Sequence, residues 1–201
     1  MTVSVRPGAT SPLNGATFGS GETVCITEVP FTPAFDLRVQ PGTPAFEAVC
    51  AALGMRLPTT VGTVARKNAV CMGQPGHDAN ATDGIIAMCL GPDWWLLTGT
   101  ADPMPLLHDV RQNHHVSLVD VSAQRTKLEF WGQRSVEVLE HVWEQDLRPE
   151  NFGVDSCTQG LIVKAPVLMW HCCTNCYVLF VRSSFAQHVW EVLTDAAHEY
   201  V

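Results

Sequence analysis

Apolar residues recur along this chain with two periods, and the alternation between them divides it into elements. The stretch "FDLRV" (35–39) reads as a short strand. Thr43 and Pro44 then have the form of an N-cap followed by a first helical residue. "AFEAVCAAL" carries apolar side chains at helical spacing up to Gly54, a C-terminal stop. Residues 55–84 read mostly as loop, with the turn signal Gly-Gln-Pro-Gly at 73–76. "GIIAMCL" and "WWLLTG" flank Gly91-Pro92-Asp93 and predict strand, turn, strand. Asp102-Pro103 opens a second helix through "MPLLHDVRQN" in the same N-cap and N1 manner.

The second half runs through the same order. "TKLEFW" (126–131) predicts a strand ending at Gly132, and "RSVEVLEHVWEQDL" a helix with Val136, Leu139, Val142 and Trp143 on one face. "APVLMWHC" and "CYVLFVR" are two apolar strands around a short connection. Ser184-Phe-Ala-Gln187 has the form of a capping box, ahead of a last helix striped by Phe185, Val189, Val192, Leu193, Ala196 and Tyr200. Each half thus reads strand, Gly turn, helix, hairpin, helix, with the 70–84 loop as extra length in the first. A repeat of pattern rather than of identity predicts an α+β fold: duplicated halves at about 31–116 and 117–201, antiparallel sheets, and helices packed on them. Residues 31–201 are expected to form this single pseudo-duplicated domain. The Gly-, Ser-, Thr- and Pro-rich stretch before it, 1–30, is expected to be a flexible tail or a segment lying on a partner.

Composition narrows the function. Of 201 residues, 46% are apolar and only 16% charged, enough for a core and few charges for a surface, which hints at coverage by other subunits. The net charge of −8 disfavours nucleic acid and an anionic membrane surface as partners. No apolar run has the length of a membrane span, and the N-terminus has no continuous apolar core of a signal peptide, so a cytoplasmic protein is expected. There the eight cysteines (25, 50, 71, 89, 157, 172, 173 and 176) serve as small buried apolar residues rather than a disulfide framework.

The densest chemical signal is "HCCTNC" (171–176). A redox C-x-x-C needs a helix N-terminus to lower a thiol pKa, and here "YVLFV" predicts a strand instead. A zinc knuckle needs four ligands. No second C-x-x-C exists, and nothing in the spacing of His114, His115 or His171 completes a set. A hairpin tip with Asn175 at a turn position is the plainer reading, with a zinc adaptor built on Cys172, Cys173 and Cys176 as its rival. Gly15, Gly19 and Gly21 follow no strand and lack dinucleotide spacing. Asp120 and Ser122 are read as turn-capping groups, with ligand binding the less common role. Arg125 and Arg182 suit a carboxylate or phosphate, with ion pairs to the acidic excess the simpler role. Trp94, Trp95, Trp131, Trp143, Trp170 and Trp190 fall on predicted elements and read as core or interface anchors. No constellation names a reaction, and no catalytic, cofactor-binding or metal residue is assigned.

Taken in order, "LGPDWWLL" (90–97), "VDVSAQRTKLEFWG" (119–132), "DLRPENFGVDSCTQ" (146–159) and "VRSSFAQHVWEVLTDAAHE" (181–199) resemble the gamma subunit family of heterotetrameric sarcosine oxidase. "FDLRVQPG…FEAVCAALGMRLP" (35–58) fits as well. Trp94 stands where that family tends to have an acid in its Gly-Pro-Asp-Glu-Trp turn. The resemblance implies the fold of the folate-binding domain of aminomethyltransferases. It also implies a non-catalytic subunit beside alpha, beta and delta chains in an oxidoreductase complex. That complex demethylates sarcosine with oxygen and tetrahydrofolate to glycine, hydrogen peroxide and methylenetetrahydrofolate. FAD, FMN, NAD and zinc are then expected in the partner subunits and none in this chain. The alternative is a stand-alone folate-binding or folate-dependent methyl-transfer module of the same fold, which would need an acid such as Asp120 to hold the pterin ring.

Overall fold

The computed structural model describes residues 10–69 and 84–201. In chain order its strands and α-helices are β1 (Thr17–Ser20), β2 (Val24–Val29), β3 (Ala34–Arg38), α1 (Pro44–Leu53), β4 (Val64–Lys67), β5 (Ile85–Gly91), β6 (Trp94–Gly99), α2 (Pro103–Leu106), α3 (His108–Asn113) and β7 (Ser117–Asp120). They continue as β8 (Arg125–Trp131), α4 (Ser135–Val142), β9 (Ser156–Ile162), β10 (Ala165–Cys173), β11 (Cys176–Arg182) and α5 (Ala186–Ala197). Two compact units result. The first holds described residues 32–69 and 84–122, the second 10–31 and 123–201. Among the described residues no helix is long and apolar enough to cross a membrane.

The first unit is a five-stranded antiparallel sheet in the order β4-β5-β6-β3-β7. One face packs its helices, with Phe35, Leu37, Trp95 and Leu97 against Phe46, Val49 and Leu53 of α1. That helix starts and stops as its sequence dictates. The Thr43 hydroxyl accepts from the Phe46 N–H at 3.3 Å, and Pro44 supplies a residue needing no partner for its nitrogen. At the other end Gly54 sits at φ 66°, while Met55 N–H bonds Cys50 O at 3.2 Å and Gly54 N–H bonds Ala51 O at 3.1 Å. This paired closure needs a left-handed residue, which glycine adopts without a Cβ penalty. Lys67 of β4 places its ammonium 3.2 Å from Leu53 O, a cation at the negative end of the helix.

The second unit is a six-stranded antiparallel sheet in the order β1-β2-β8-β11-β10-β9, with α4 and α5 on one face. Its core joins Leu128, Phe130, Met169 and Leu179 of the sheet to Val138, Leu139, Val189 and Leu193 of the helices. β10 and β11 read as unbroken apolar runs because both of their faces are buried, Leu168 and Phe180 as fully as Met169 and Leu179.

Several expectations need correcting. The supposed tail is structured from residue 10 onward: β1 and β2 extend the second sheet, with Ile26 paired to Phe130 and Leu13 in the core. The division between units falls after Ser122, not at 116, because β7 hydrogen-bonds to β3 (Leu37 opposite Leu118). The 55–84 loop contains β4, paired to β5, while the turn signal at 73–76 and Cys71 lie outside the described residues. The helix at 103–113 is interrupted at Leu107, although Asp102 caps it as expected by accepting from Met104 N–H.

Helix α4 ends at Val142, and Trp143 leaves it to bridge Ile162 of β9. Gly160 makes room for it: a Cβ there would lie 2.7 Å from the Trp143 ring, so only a glycine lets the indole approach the backbone of β9 this closely. The buried face of α4 is accordingly Ser135, Val138 and Leu139, with Val136 and Val142 half-buried. The capping box at Ser184–Gln187 does not form. A 3-10 turn spans Ser183–Phe185, α5 begins at Ala186 without a side-chain cap, and Gln187 bonds Glu191 instead. The buried stripe of α5 is Ala186, Val189, Leu193 and Ala197, leaving Phe185 exposed.

Candidate functional site

The cysteine hexapeptide is the tip of the β10–β11 hairpin. Cys173 pairs with Cys176 across a turn at Thr174-Asn175, and Asn175 takes φ 57°, as its short polar side chain allows. Cys172 and Cys176 are buried and Cys173 half-buried, with the Cys172 and Cys173 sulfurs 4.0 Å apart. Among the described residues no group of three or more His, Cys, Asp or Glu is arranged to hold a metal ion. Elsewhere burial pushes the thiols of Cys25 and Cys89 above their ordinary pKa, the opposite of what a nucleophile or ligand needs.

His171 is part of the second core rather than a ligand. Its Nδ1–H donates to Phe152 O at 2.9 Å, and its ring stacks on Tyr177 with centroids 4.6 Å apart and on Phe152 at 5.8 Å. Tyr177, 2% exposed, has its pKa pushed up to about 12, chiefly by burial and further by the neighbouring Cys176, Glu140 and Cys172. His114 ends α3 at the half-buried surface of the first unit and His115 is exposed. A shallow hollow is lined by Glu129, Trp131, Cys172 and Tyr177 among others, with no converging donors beyond these.

Asp120 and Ser122 close a turn within the first unit. Asp120 Oδ1 accepts from the Ser122 N–H at 2.9 Å and hydroxyl at 2.6 Å, and the Ser122 hydroxyl oxygen accepts from Ala34 N–H at 3.0 Å. The glycine-rich stretch at 15–21 flanks and enters the β1–β2 hairpin. It cradles no phosphate: Gly15 N–H donates to the protein's own Glu28 at 2.7 Å. Arg182 is exposed on β11, in register with Arg125 on β8.

Of the tryptophans, Trp95, Trp143 and Trp170 are buried, while Trp94, Trp131 and Trp190 are half-buried. Trp94 donates to Asp36 at 3.1 Å, and the Arg38 guanidinium lies 4.6 Å from its ring centre.

The group that sequence reasoning missed is Glu28, a carboxylate only 2% exposed. It accepts from the Ser11 hydroxyl (2.8 Å), the Gly15 N–H (2.7 Å), the Thr126 hydroxyl (2.7 Å) and the Leu13 N–H (3.4 Å). Fully bonded, it pins residues 11–15 onto the helical side of the second sheet, which is a structural task. Its only signal in the sequence was an acid following the apolar alternation "VCIT". Asp146 does similar work outside. It takes hydrogen bonds from Arg148 and Asn151, and the Arg148 guanidinium holds its carboxyl well below the usual range. The loop it fixes seats Leu147 and Phe152 in the core.

The class these features define is an α+β protein of two antiparallel units in which Glu28, Asp120, Ser122 and Asp146 are engaged in turns and in the core. Comparison with known proteins makes this specific. Residues 38–199 match the model of the "Sarcosine oxidase, gamma subunit family", and the chain belongs to that family. It is 31% identical over 179 residues to the sarcosine oxidase subunit gamma of Corynebacterium sp. (strain U-96), covering 88% of this chain and 80% of that one. The Arthrobacter sp. subunit gamma is 29% identical over 191 residues, covering 92% and 84%. Among solved structures, a chain of the heterotetrameric sarcosine oxidase from Corynebacterium sp. U-96, in complex with pyrrole 2-carboxylate, superposes with a TM-score of 0.80. The identity there is 28%, over 96% of both chains. The glycine cleavage system aminomethyltransferase T from Bartonella henselae gives a TM-score of 0.58 at 11% identity, covering 92% of this chain and 56% of that one. The aminomethyltransferase fold is therefore shared.

Proposed function

We propose that this chain is the structural gamma subunit of a heterotetrameric sarcosine oxidase, assembled with alpha, beta and delta chains in the cytoplasm. The observation that supports it most is the end-to-end match, 96% of both chains, to a chain of a heterotetrameric sarcosine oxidase. The assembly would oxidise sarcosine with oxygen and tetrahydrofolate to glycine, hydrogen peroxide and methylenetetrahydrofolate. FAD, FMN, NAD and zinc would be held by the partners. The chain's role is to bury apolar surface against the larger neighbours.

A structural role is supported by the work already given to the candidate groups. Asp120 is occupied by Ser122, His171 by Phe152 O, and Glu28 by four donors. These two units form one duplicated domain in this reading: the order β4-β5-β6-β3-β7 of the first recurs as β9-β10-β11-β8-β2 in the second. The test is co-expression of the tagged chain with the other three. Stoichiometric recovery of all four with flavin absorbance and sarcosine turnover is expected, and recovery of this chain alone refutes the reading. Calorimetry with tetrahydrofolate addresses the folate-binding alternative, which micromolar binding by this chain alone, abolished in Asp120→Ala, would restore.

A further inference from the structure

Four strands end the two sheets: β4 and β7 in the first, β1 and β9 in the second. An edge strand presents unpaired N–H and C=O groups along its length, and these can recruit a strand from another molecule. Three of the four edges are short, at four residues each, and of these β4 carries Arg66 and Lys67 while β7 ends in Asp120. β9 differs. It runs for seven residues, Ser-Cys-Thr-Gln-Gly-Leu-Ile, with no charge and no proline, a composition that favours addition of a further strand.

The outward groups of β9 follow from its register. Pro166 of β10 has no N–H to give and stands opposite Leu161. Leu161, and with it Gln159 two residues earlier, therefore turn their N–H and C=O away from β10. The extended segment that follows α4 meets them there. Trp143 forms an antiparallel bridge to Ile162. Glu144 Oε1 accepts from the Leu161 N–H at 3.2 Å, and Gln145 Nε2 donates to Gln159 O at 2.9 Å. Gln145 Oε1 accepts from the Thr158 hydroxyl at 2.6 Å, so this side-chain amide stands in for the peptide group of a neighbouring strand. Gly160 lies between these contacts. A Cβ there would lie 2.7 Å from the Trp143 ring and 2.9 Å from Gln145 Nε2, so the one residue of β9 without a side chain falls where the segment crosses.

We propose that residues 143–145 are a guard that closes the β9 edge against pairing with a second copy of this chain. A second copy is the molecule excluded because two β9 strands related by a two-fold axis run antiparallel. Each would offer the other the outward groups that Glu144 and Gln145 now occupy. Closure by side chains has an advantage over closure by a further strand, which would expose its own outer row of N–H and C=O groups. Glu144 and Gln145 are exposed, and Glu144 brings a negative charge to an edge that has none of its own.

Sedimentation velocity of the full-length chain over a concentration series tests this. Glu144→Ala/Gln145→Ala should self-associate at about tenfold lower concentration than wild type. Gln159→Lys added to that variant should reverse the effect, because a charged side chain on a bare edge keeps a second strand away. Glu144→Gln, which keeps the acceptor, should match wild type. Circular dichroism checks that the variants are folded. Gln145→Met, a milder change at an exposed position, should shift association in the same direction as the double variant. Folded variants that associate no more than wild type overturn the proposal, as does association that Gln159→Lys fails to reverse. Loss of the fold in Gln145→Met would overturn it too, by making these bonds a requirement of folding instead of a guard.

Discussion

In the first unit the strand beside β3 is β7, which follows that unit's last helix. In the second the strand beside β8 is β2, which precedes the whole of the first unit's core in the chain. The two sheets thus share an order but recruit the fifth strand from opposite directions, and they secure it differently. β7 is held by Leu118 in an apolar core, its end tied by Asp120 and Ser122. β2 ends on the buried carboxylate of Glu28, which also gathers residues 11–15. Among the described residues, the buried polar side chains are Thr98 in the first unit and Glu28, Thr126, Glu129, Ser135 and His171 in the second. Burial of Val24 and Ile26 already specifies the register of β2, and the directional bonds to Glu28 reinforce it while tying down the segment before it.

The contrast is most strongly challenged by Trp95→Ala in the first unit, which deletes a fully buried indole and the bond to Pro58 O. About 4 kcal/mol of stability should be lost, with exchange of β5 and β6 amides accelerating and β10 amides slower to follow. Glu28→Ala should cost about 3 kcal/mol by leaving two hydroxyls and two amides to compete for water. In hydrogen exchange mapping of the assembled protein its effect should be confined to 11–29 and β8. Spread of the effect into α1 would break the comparison. Thr43→Ala should cost about 1 kcal/mol at the first turn of α1, whereas Arg134→Asp should gain about 0.5 kcal/mol by capping α4, which now has no side-chain cap. The smallest effect expected is that of Trp94→Leu, below about 1 kcal/mol, from loss of the Arg38 contact.

Alkaline titration separates the units by another route. Tyr177 keeps its proton in the folded second unit up to about pH 12, while the unfolded chain releases it near the ordinary tyrosine value of 10.0. Above that value the unfolded state binds fewer protons than the folded one, so stability must fall as pH rises from about 10 to 12. Tyr177→Phe should flatten that slope, read from urea midpoints at successive pH values.

Much of the fold was legible because its signals are local. Thr43, Pro44 and Gly54 each act where their chemistry says, and the β5–β6 and β10–β11 hairpins follow from apolar runs around turn residues. The misses share a physical cause, since each depends on a partner distant in sequence. β2 is a strand because β8 lies beside it, and β4 because β5 does. Trp143, outside its helix, meets Gly160 and bridges Ile162, both more than 15 residues away. The candidate residues fared likewise: turn roles for Asn175, Asp120 and Ser122 were readable from type and spacing, whereas Glu28 acquires its partners only on folding.

The central claim is that the reactive chemistry belongs to neighbouring subunits and this chain supplies a scaffold. Hydrogen peroxide release from sarcosine, measured side by side for the purified chain and for the four-chain assembly at equal molar concentration, tests it directly. Peroxide from the assembly alone is the predicted result, and turnover by the isolated chain would contradict it.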